Sequence, residues 1–300
     1  MKNEHIISVP VPEEFRFMVN VSYLARSTNE CLFEIKDDKV RKAISFGNEV
    51  FLIEVSENHD GSLLVRFIGA RPTNESMLNE VIHYVQDWFD LDTDLKPFYA
   101  MAEKDLLLEQ SVKAFYGLRI LGIPDLFEAL CWGILGQQIN LTYAYTLKRR
   151  LVEAFGTSIE REGNRYWIFP PPEDIAKLTV EDLSVLKMTV KKCEYLIGVA
   201  QLMAEGSLSK ELLRNSGDFK AAEKMMVKIR GIGPWTANYV LMRCLRFPNA
   251  FPIADVGLHN AIKQVLGTDR KPTIEEILEL SAPWTDWEAY ATFYLWRILY

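Results

Sequence analysis

The chain reads as a mostly helical protein that begins with a small α/β domain. Three observations predict this. Strand-like runs rich in β-branched residues are confined to 31–68, whereas from about residue 105 onward apolar residues recur at helical spacing. Between the two regions lies LDTDLKPFY, an acidic stretch with a proline that reads as a connector. These observations divide the chain into 1–104 and 105–300.

In the first part, CLFEIKD, VRKAISF, EVFLIEVSE and SLLVRFIG alternate partially and are broken at DD, GN and NHDG, as strands joined by turns should be. ESMLNEVIHYVQDWFD (75–90) has the 3.6-residue spacing of an amphipathic helix. In the second part, LFEALCWGILGQQI, NLTYAYTLKRRLVEAFG, VEDLSVLKMTVKKCEYLIGVAQLMAEG, FKAAEKMMVKI and TANYVLMRCLR predict helices separated by Gly, Pro or Asp. DVGLHNAIKQVLG and WEAYATFYLWRILY extend the pattern to the end of the chain. REGNRYWIFPPPED (161–174) reads as a long irregular insertion.

Composition narrows the function classes. Apolar residues make up 49% of the chain and charged residues 25%, as in ordinary globular proteins. No apolar run approaches the ~20 residues of a membrane span, and MKNEHIISVP lacks the basic start and apolar centre of a leader. Cys31, Cys131, Cys193 and Cys244 are scattered without a CxxC pair, which argues against a zinc or iron–sulfur site and fits a reducing cytoplasm. No nucleotide-binding glycine fingerprint appears either. The net charge is −7, but all of it falls in residues 1–100, while 101–300 hold 24 basic and 24 acidic residues. Around one segment, Lys220, Lys224, Lys228, Arg230, Arg243 and Arg246 face Glu223 alone, a basic patch suited to a polyanion or simply a solvated helical face.

That segment is KIRGIGPWTANYVL (228–241). Two glycines one residue apart, followed by Pro-Trp-Thr, sit between two helical patterns. Proline suits a first helical turn because its missing N–H would be unpaired there anyway. Gly231 and Gly233 allow unusual backbone angles and leave no Cβ in the way, so backbone N–H groups can meet a phosphate at a helix N-terminus. A plain turn between helices is the competing reading. About 22 residues later, Asp255 opens DVGLHNAIKQ just before a helix, where an Asp normally caps it. A capping carboxylate is held ionised in a fixed place, and it could also stabilise positive charge developing on a sugar.

Taken together, these motifs resemble the helix–hairpin–helix superfamily of DNA glycosylases, and within it the bacterial alkylbase branch, DNA-3-methyladenine glycosylase II. The resemblance extends over essentially the whole chain: GLRILGIPDLFEALCWGILGQQIN, FPPPEDIAKL, KIRGIGPWTANY and PWTDWEAYATFYLW all match, as do the N-terminal strands and the helix after them. It implies an N-terminal antiparallel-sheet domain like the TATA-binding protein, followed by an all-helical glycosylase domain. It further implies that Asp255 is the catalytic carboxylate, that Trp235, Tyr239 and Trp296 line the base pocket, and that Gln138 fills the gap left by a flipped nucleotide. Gly231, Gly233, Lys228, Arg230 and Thr236 would then contact DNA. The implied partner is duplex DNA carrying a damaged base, bound by a monomer without a membrane, without a metal centre and without a cofactor beyond a monovalent cation at the hairpin carbonyls. Bifunctional relatives place a nucleophilic lysine on the helix just after the hairpin, to form a Schiff base, where this chain has Trp235, so a monofunctional enzyme is expected. Two departures, Ala254 in place of a second Asp and Gln138 in place of Leu, bear on which bases are taken. Competing readings are a non-catalytic DNA-structure-binding protein and a glycosylase for oxidised or deaminated bases. Some branches of the latter carry a C-terminal four-cysteine cluster that is missing from ATFYLWRILY.

Overall fold

The computed structural model describes residues 6–47 and 49–299. Residues 1–5, on which the leader reading partly rests, and Asn48, in the expected GN turn, lie outside them. Five strands, β1 (Ile6–Val9), β2 (Glu34–Lys36), β3 (Lys39–Phe46), β4 (Glu49–Glu57) and β5 (Leu63–Phe67), form an antiparallel sheet in the order β1-β5-β4-β3-β2. Register pairs such as Val40 with Val55 and Ile53 with Phe67 set the alternation of its faces. Helices α1 (Phe17–Leu24) and α2 (Glu75–Phe89) accompany the sheet, and the Asn74 side chain caps α2 by accepting from Met77 N at 2.7 Å.

The connector LDTDLKPFY is partly helical, since α3 (Lys96–Ala102) starts there with a proline in its first turn. Its Phe98 ring packs 5.7, 5.5 and 5.2 Å from the rings of Trp287, Tyr290 and Tyr294, so the apolar core runs on across residue 104. Helices α4 (Glu109–Ala114), α5 (Leu126–Leu135) and α6 (Leu141–Phe155) follow.

The insertion expected to be irregular is instead a hairpin of β6 (Thr157–Arg161) and β7 (Asn164–Ile168). Glu162 and Gly163, with φ of 52° and 79°, make its two-residue turn, the left-handed pair that matches strand twist. Tyr166 joins Ala43 and Leu52 in a small apolar cluster on the sheet, so the hairpin covers a face that would otherwise be wet. The short α7 (Pro172–Ile175) comes next. The long periodic run after it is interrupted: a 3₁₀ turn, Asp182–Leu186, ends at Lys187 with φ of 55°, and Thr189 then caps α8 (Val190–Ala204). The remaining helices are α9 (Lys210–Arg214), α10 (Phe219–Val227), α11 (Pro234–Arg243), α12 (Val256–Leu266), α13 (Ile274–Leu280) and α14 (Glu288–Arg297). No helix among the described residues is long and apolar enough to cross a membrane.

Candidate active site

The hairpin joins α10 to α11. Ile229 N donates to Met226 O and Ile232 N to Ile229 O, each at 3.0 Å, which closes the turn tightly. The two glycines serve different purposes. Gly231 sits at φ +94°, and a Cβ there would lie 2.3 Å from Cγ of Tyr195, so both backbone and space demand glycine. Gly233 does not adopt a conformation closed to other residues, as the sequence reading expected of both. Its φ is −87° and ψ 175°, and a Cβ there would meet nothing within 4 Å. It is the N-cap of α11, followed by Pro234, and no side chain caps the helix. Pro234 has no N–H, so Trp235 and Thr236 supply the first-turn N–H groups that no side chain caps, with the helix dipole behind them.

A residue absent from the sequence reading, Gln137, ties the loop after α5 to the hairpin. Its Nε2 donates to Gly231 O at 2.8 Å and to Thr236 Oγ1 at 3.2 Å. Thr236 is buried at 2% exposure with its methyl against Gly133, so its side chain holds helices α5 and α11 together and does not face solvent. The basic patch also shrinks. Arg243 is buried, donating to Leu121 O, Tyr23 Oη and Tyr239 Oη, and Arg246 pairs with Asp87. Arg230 remains on the surface but bonds Glu194, with its guanidinium 5.6 Å above the Tyr195 ring. Lys220, Lys224 and Lys228 are exposed.

Asp255 caps α12: Oδ1 accepts from Leu258 N at 2.8 Å. The same oxygen accepts from Trp296 Nε1 at 2.7 Å, and Oδ2 from Trp235 Nε1 at 2.9 Å. Capping and a second role are thus combined in one side chain, and the two indoles that were expected to line a base pocket also clamp the carboxylate. Gly257 makes room for this, because a Cβ there would fall 2.8 Å from Asp255 Oδ1. Trp235 stacks on Tyr239 at 5.5 Å and 24°, and Tyr239 leans on Trp296 at 6.1 Å and 34°.

These groups bound a cavity of about 790 Å³, whose walls include Trp132, Gln138, Trp235, Tyr239, Asp255 and Trp296. Gln138 stands exposed in the loop between α5 and α6, with a left-handed φ of 57°. Ala254 also borders the cavity, as do Arg26 and Arg243, and none of the residues lining it is a lysine. Burial pushes the Tyr239 hydroxyl well above its usual range despite the nearby Arg243, so it stays protonated and donates or accepts without charge. Among the described residues no group of three or more His, Cys, Asp or Glu is placed to hold a metal ion.

Residues 131–286 match the HhH-GPD superfamily base excision DNA repair protein family. The chain belongs to that family. Residues 14–130 match the N-terminal domain family of 8-oxoguanine DNA glycosylase. A Bacillus subtilis relative described as DNA-3-methyladenine glycosylase is 56% identical over 98% of this chain and 97% of its own length. An Escherichia coli relative, DNA-3-methyladenine glycosylase 2, is 32% identical over 60% of each chain. Among solved structures, 3-methyladenine DNA-glycosylase from Archaeoglobus fulgidus superposes with a TM-score of 0.83, covering 97% of both chains at 21% identity. At that identity the likeness concerns the fold: a sheet domain followed by the helical HhH-GPD domain.

Proposed function

We propose that the protein is a monofunctional DNA glycosylase that flips alkylated bases of the 3-methyladenine and 7-methylguanine type out of duplex DNA and hydrolyses the N-glycosidic bond in base excision repair. The observation that carries this reading is Asp255, fixed by three N–H donors at the wall of an aromatic cavity. The near full-length match to the Bacillus subtilis glycosylase supports the same activity.

The chemistry follows from the parts. Flipping a base costs a few kcal/mol, less when the base is damaged and poorly paired. An alkylated purine carries positive charge and gains from the faces of Trp235, Tyr239 and Trp296. As the C1′–N bond breaks, its electron pair leaves with the base and the sugar becomes oxocarbenium-like. Asp255 supplies the opposite charge, already oriented, and can align a water for attack at C1′. The backbone N–H groups at the start of α11, with Lys228 beside them, hold a phosphate without reading bases. Gln138, exposed at the cavity mouth, would occupy the gap in the duplex. A monovalent cation at the hairpin would have to share carbonyls already in use, because Ile229 O accepts from Ile232 N and Gly231 O from Gln137. Residues 105–300 carry most of the site, although Tyr23 and Arg26 of the 1–104 domain reach the cavity. The protein acts as a monomer on DNA in the cytoplasm.

The test is incubation with methylated duplex DNA followed by chromatography of the released bases and borohydride treatment of the mixture. Free alkylated base and no protein trapped on DNA are expected. Retention of all bases would favour a non-catalytic DNA-structure-binding protein. Trapping would identify a lysine nucleophile and refute the monofunctional reading.

A further inference from the structure

The loop at 136–140, between α5 and α6, carries the side chain that would enter the duplex, and the residues around that side chain are tied down. Where α5 ends, the buried Lys192 of α8 donates from Nζ to Leu135 O at 2.7 Å. At the other end of the loop Asn140 caps α6, accepting from Tyr143 N at 2.8 Å. Between them Gln137 is half-buried, and its Nε2 donates to Gly231 O at 2.8 Å and to Thr236 Oγ1 at 3.2 Å. Gln138, the next residue, stands exposed with a left-handed φ of 57°. A residue with a Cβ keeps such a backbone only where its surroundings hold it there.

The two acceptors of Gln137 belong to the hairpin and to the first turn of α11, the segment whose N–H groups would hold a phosphate. The hairpin keeps its shape by other means. Ile232 N closes the turn onto Ile229 O at 3.0 Å, and Gly231 lies against the Tyr195 ring of α8. What Gln137 adds is a fixed distance between the hairpin and its own neighbour, Gln138. Inserting a side chain into a base stack must overcome stacking and pairing, and the push needs an anchor on the same DNA. A finger on a slack loop would recoil. One bonded to the element that grips the backbone stays in place.

We propose that Gln137 is a positioning residue that couples the hairpin's grip on a phosphate to the insertion of Gln138, so that a bound duplex is held in the geometry from which the base is extruded. The inference rests on the glycosylase reading and on the place of Gln138 at the cavity mouth. It makes Gln137 act on the rate of base release and hardly on DNA affinity.

The experiment measures single-turnover release of 3-methyladenine from methylated duplex DNA over a range of protein concentrations, which separates the maximal rate from the half-saturating concentration. Parent, Gln137→Met, Gln138→Ala and the double variant are compared, with circular dichroism to show that each is folded. Methionine keeps the length of glutamine but cannot donate to Gly231 O or Thr236 Oγ1. Gln137→Met should lower the maximal rate by about 10-fold, the scale of a small misplacement, and leave the half-saturating concentration within about twofold of the parent's. Gln138→Ala should show a similar loss of rate. The double variant should be no slower than the slower single variant, because the link has no purpose without the finger. Thr236→Val, which removes one acceptor and keeps the methyl on Gly133, should fall between parent and Gln137→Met. A parental maximal rate in folded Gln137→Met, or in Thr236→Val should Gln137→Met not fold, would overturn the proposal, as would a parental rate in Gln138→Ala. Losses that multiply in the double variant, or a loss confined to the half-saturating concentration, would also overturn it, since either makes Gln137 a brace of the hairpin alone. A parent that releases no base would instead overturn the glycosylase reading beneath it.

Discussion

Replacing the two hairpin glycines separately distinguishes a phosphate grip from a mere turn. At Gly233 the backbone is extended (φ −87°, ψ 175°) and the space around a Cβ is open to 4 Å, so Gly233→Val should fold with nearly parental stability. The branched side chain would stand in front of the first N–H groups of α11, where a phosphate must approach. Losing one charge-assisted hydrogen bond costs about 1.5–3 kcal/mol, or roughly 10- to 100-fold in affinity. Because phosphate contacts do not read bases, the loss should be the same on damaged and undamaged duplexes. Gly231→Ala should behave differently. The φ of +94° costs about 1–3 kcal/mol for a residue with a Cβ. The 2.3 Å approach to Tyr195 adds about 1–3 kcal/mol of overpacking. Gly231→Ala should therefore lose about 2–6 kcal/mol of stability, a large part of a typical total. Fluorescence anisotropy with labelled duplexes measures the affinity loss, and urea unfolding measures the stability loss. A folded Gly233→Val that binds undamaged duplex as tightly as the parent would refute the phosphate-grip argument.

Three further outcomes are expected. Trp296→Phe removes the indole N–H held 2.7 Å from Asp255 Oδ1, and single-turnover base release should fall by about an order of magnitude, while full activity would show that the clamp is unimportant. Lys148→Met strands Glu30 and Glu128, bonded at 3.0 and 2.9 Å, and should cost about 3–5 kcal/mol by urea unfolding. Burial would raise the Glu30 carboxyl, but Lys148 and the Leu32 N–H hold it below its usual value, so its contribution is present above about pH 4.3 and is lost as pH falls through the lower folded value. The stability gap between parent and Lys148→Met should accordingly narrow in acid. Lys228→Ala should flatten the log–log salt dependence of DNA binding by about one unit, and Arg230→Ala by less, because Arg230 already pairs with Glu194. Equal slopes for the two variants would contradict that pairing in solution.

Local pattern carried much of this architecture. The amphipathic run at 75–90, the cap at Asp255 and the proline-started helix after the hairpin are properties of a few adjacent residues, and each is found where the pattern places it. What escaped the sequence depends on distant partners. Nothing near Thr236 tells that Gly133 and Gln137, a hundred residues earlier, will bury it. Likewise, Arg243 looks like a surface cation until Leu121 and Tyr23 come to meet it. The division of labour between Gly231 and Gly233 depends on the Tyr195 ring from α8. The β6–β7 hairpin could have been found from its Glu-Gly turn between TSIER and NRYWI, a local signal masked by the prolines that follow. The indole clamp on Asp255 required helices α11, α12 and α14 to converge, and only three-dimensional packing brings them together.

The central claim is that the Asp255 charge drives base release, and Asp255→Asn tests it most directly. The amide keeps the size and one oxygen that can cap α12, but it carries no charge to face the oxocarbenium-like sugar. Under single-turnover conditions with methylated duplex DNA, the folded variant should bind DNA much as the parent does and release base slower by about 10²-fold or more. Near-parental release by folded Asp255→Asn would contradict the account.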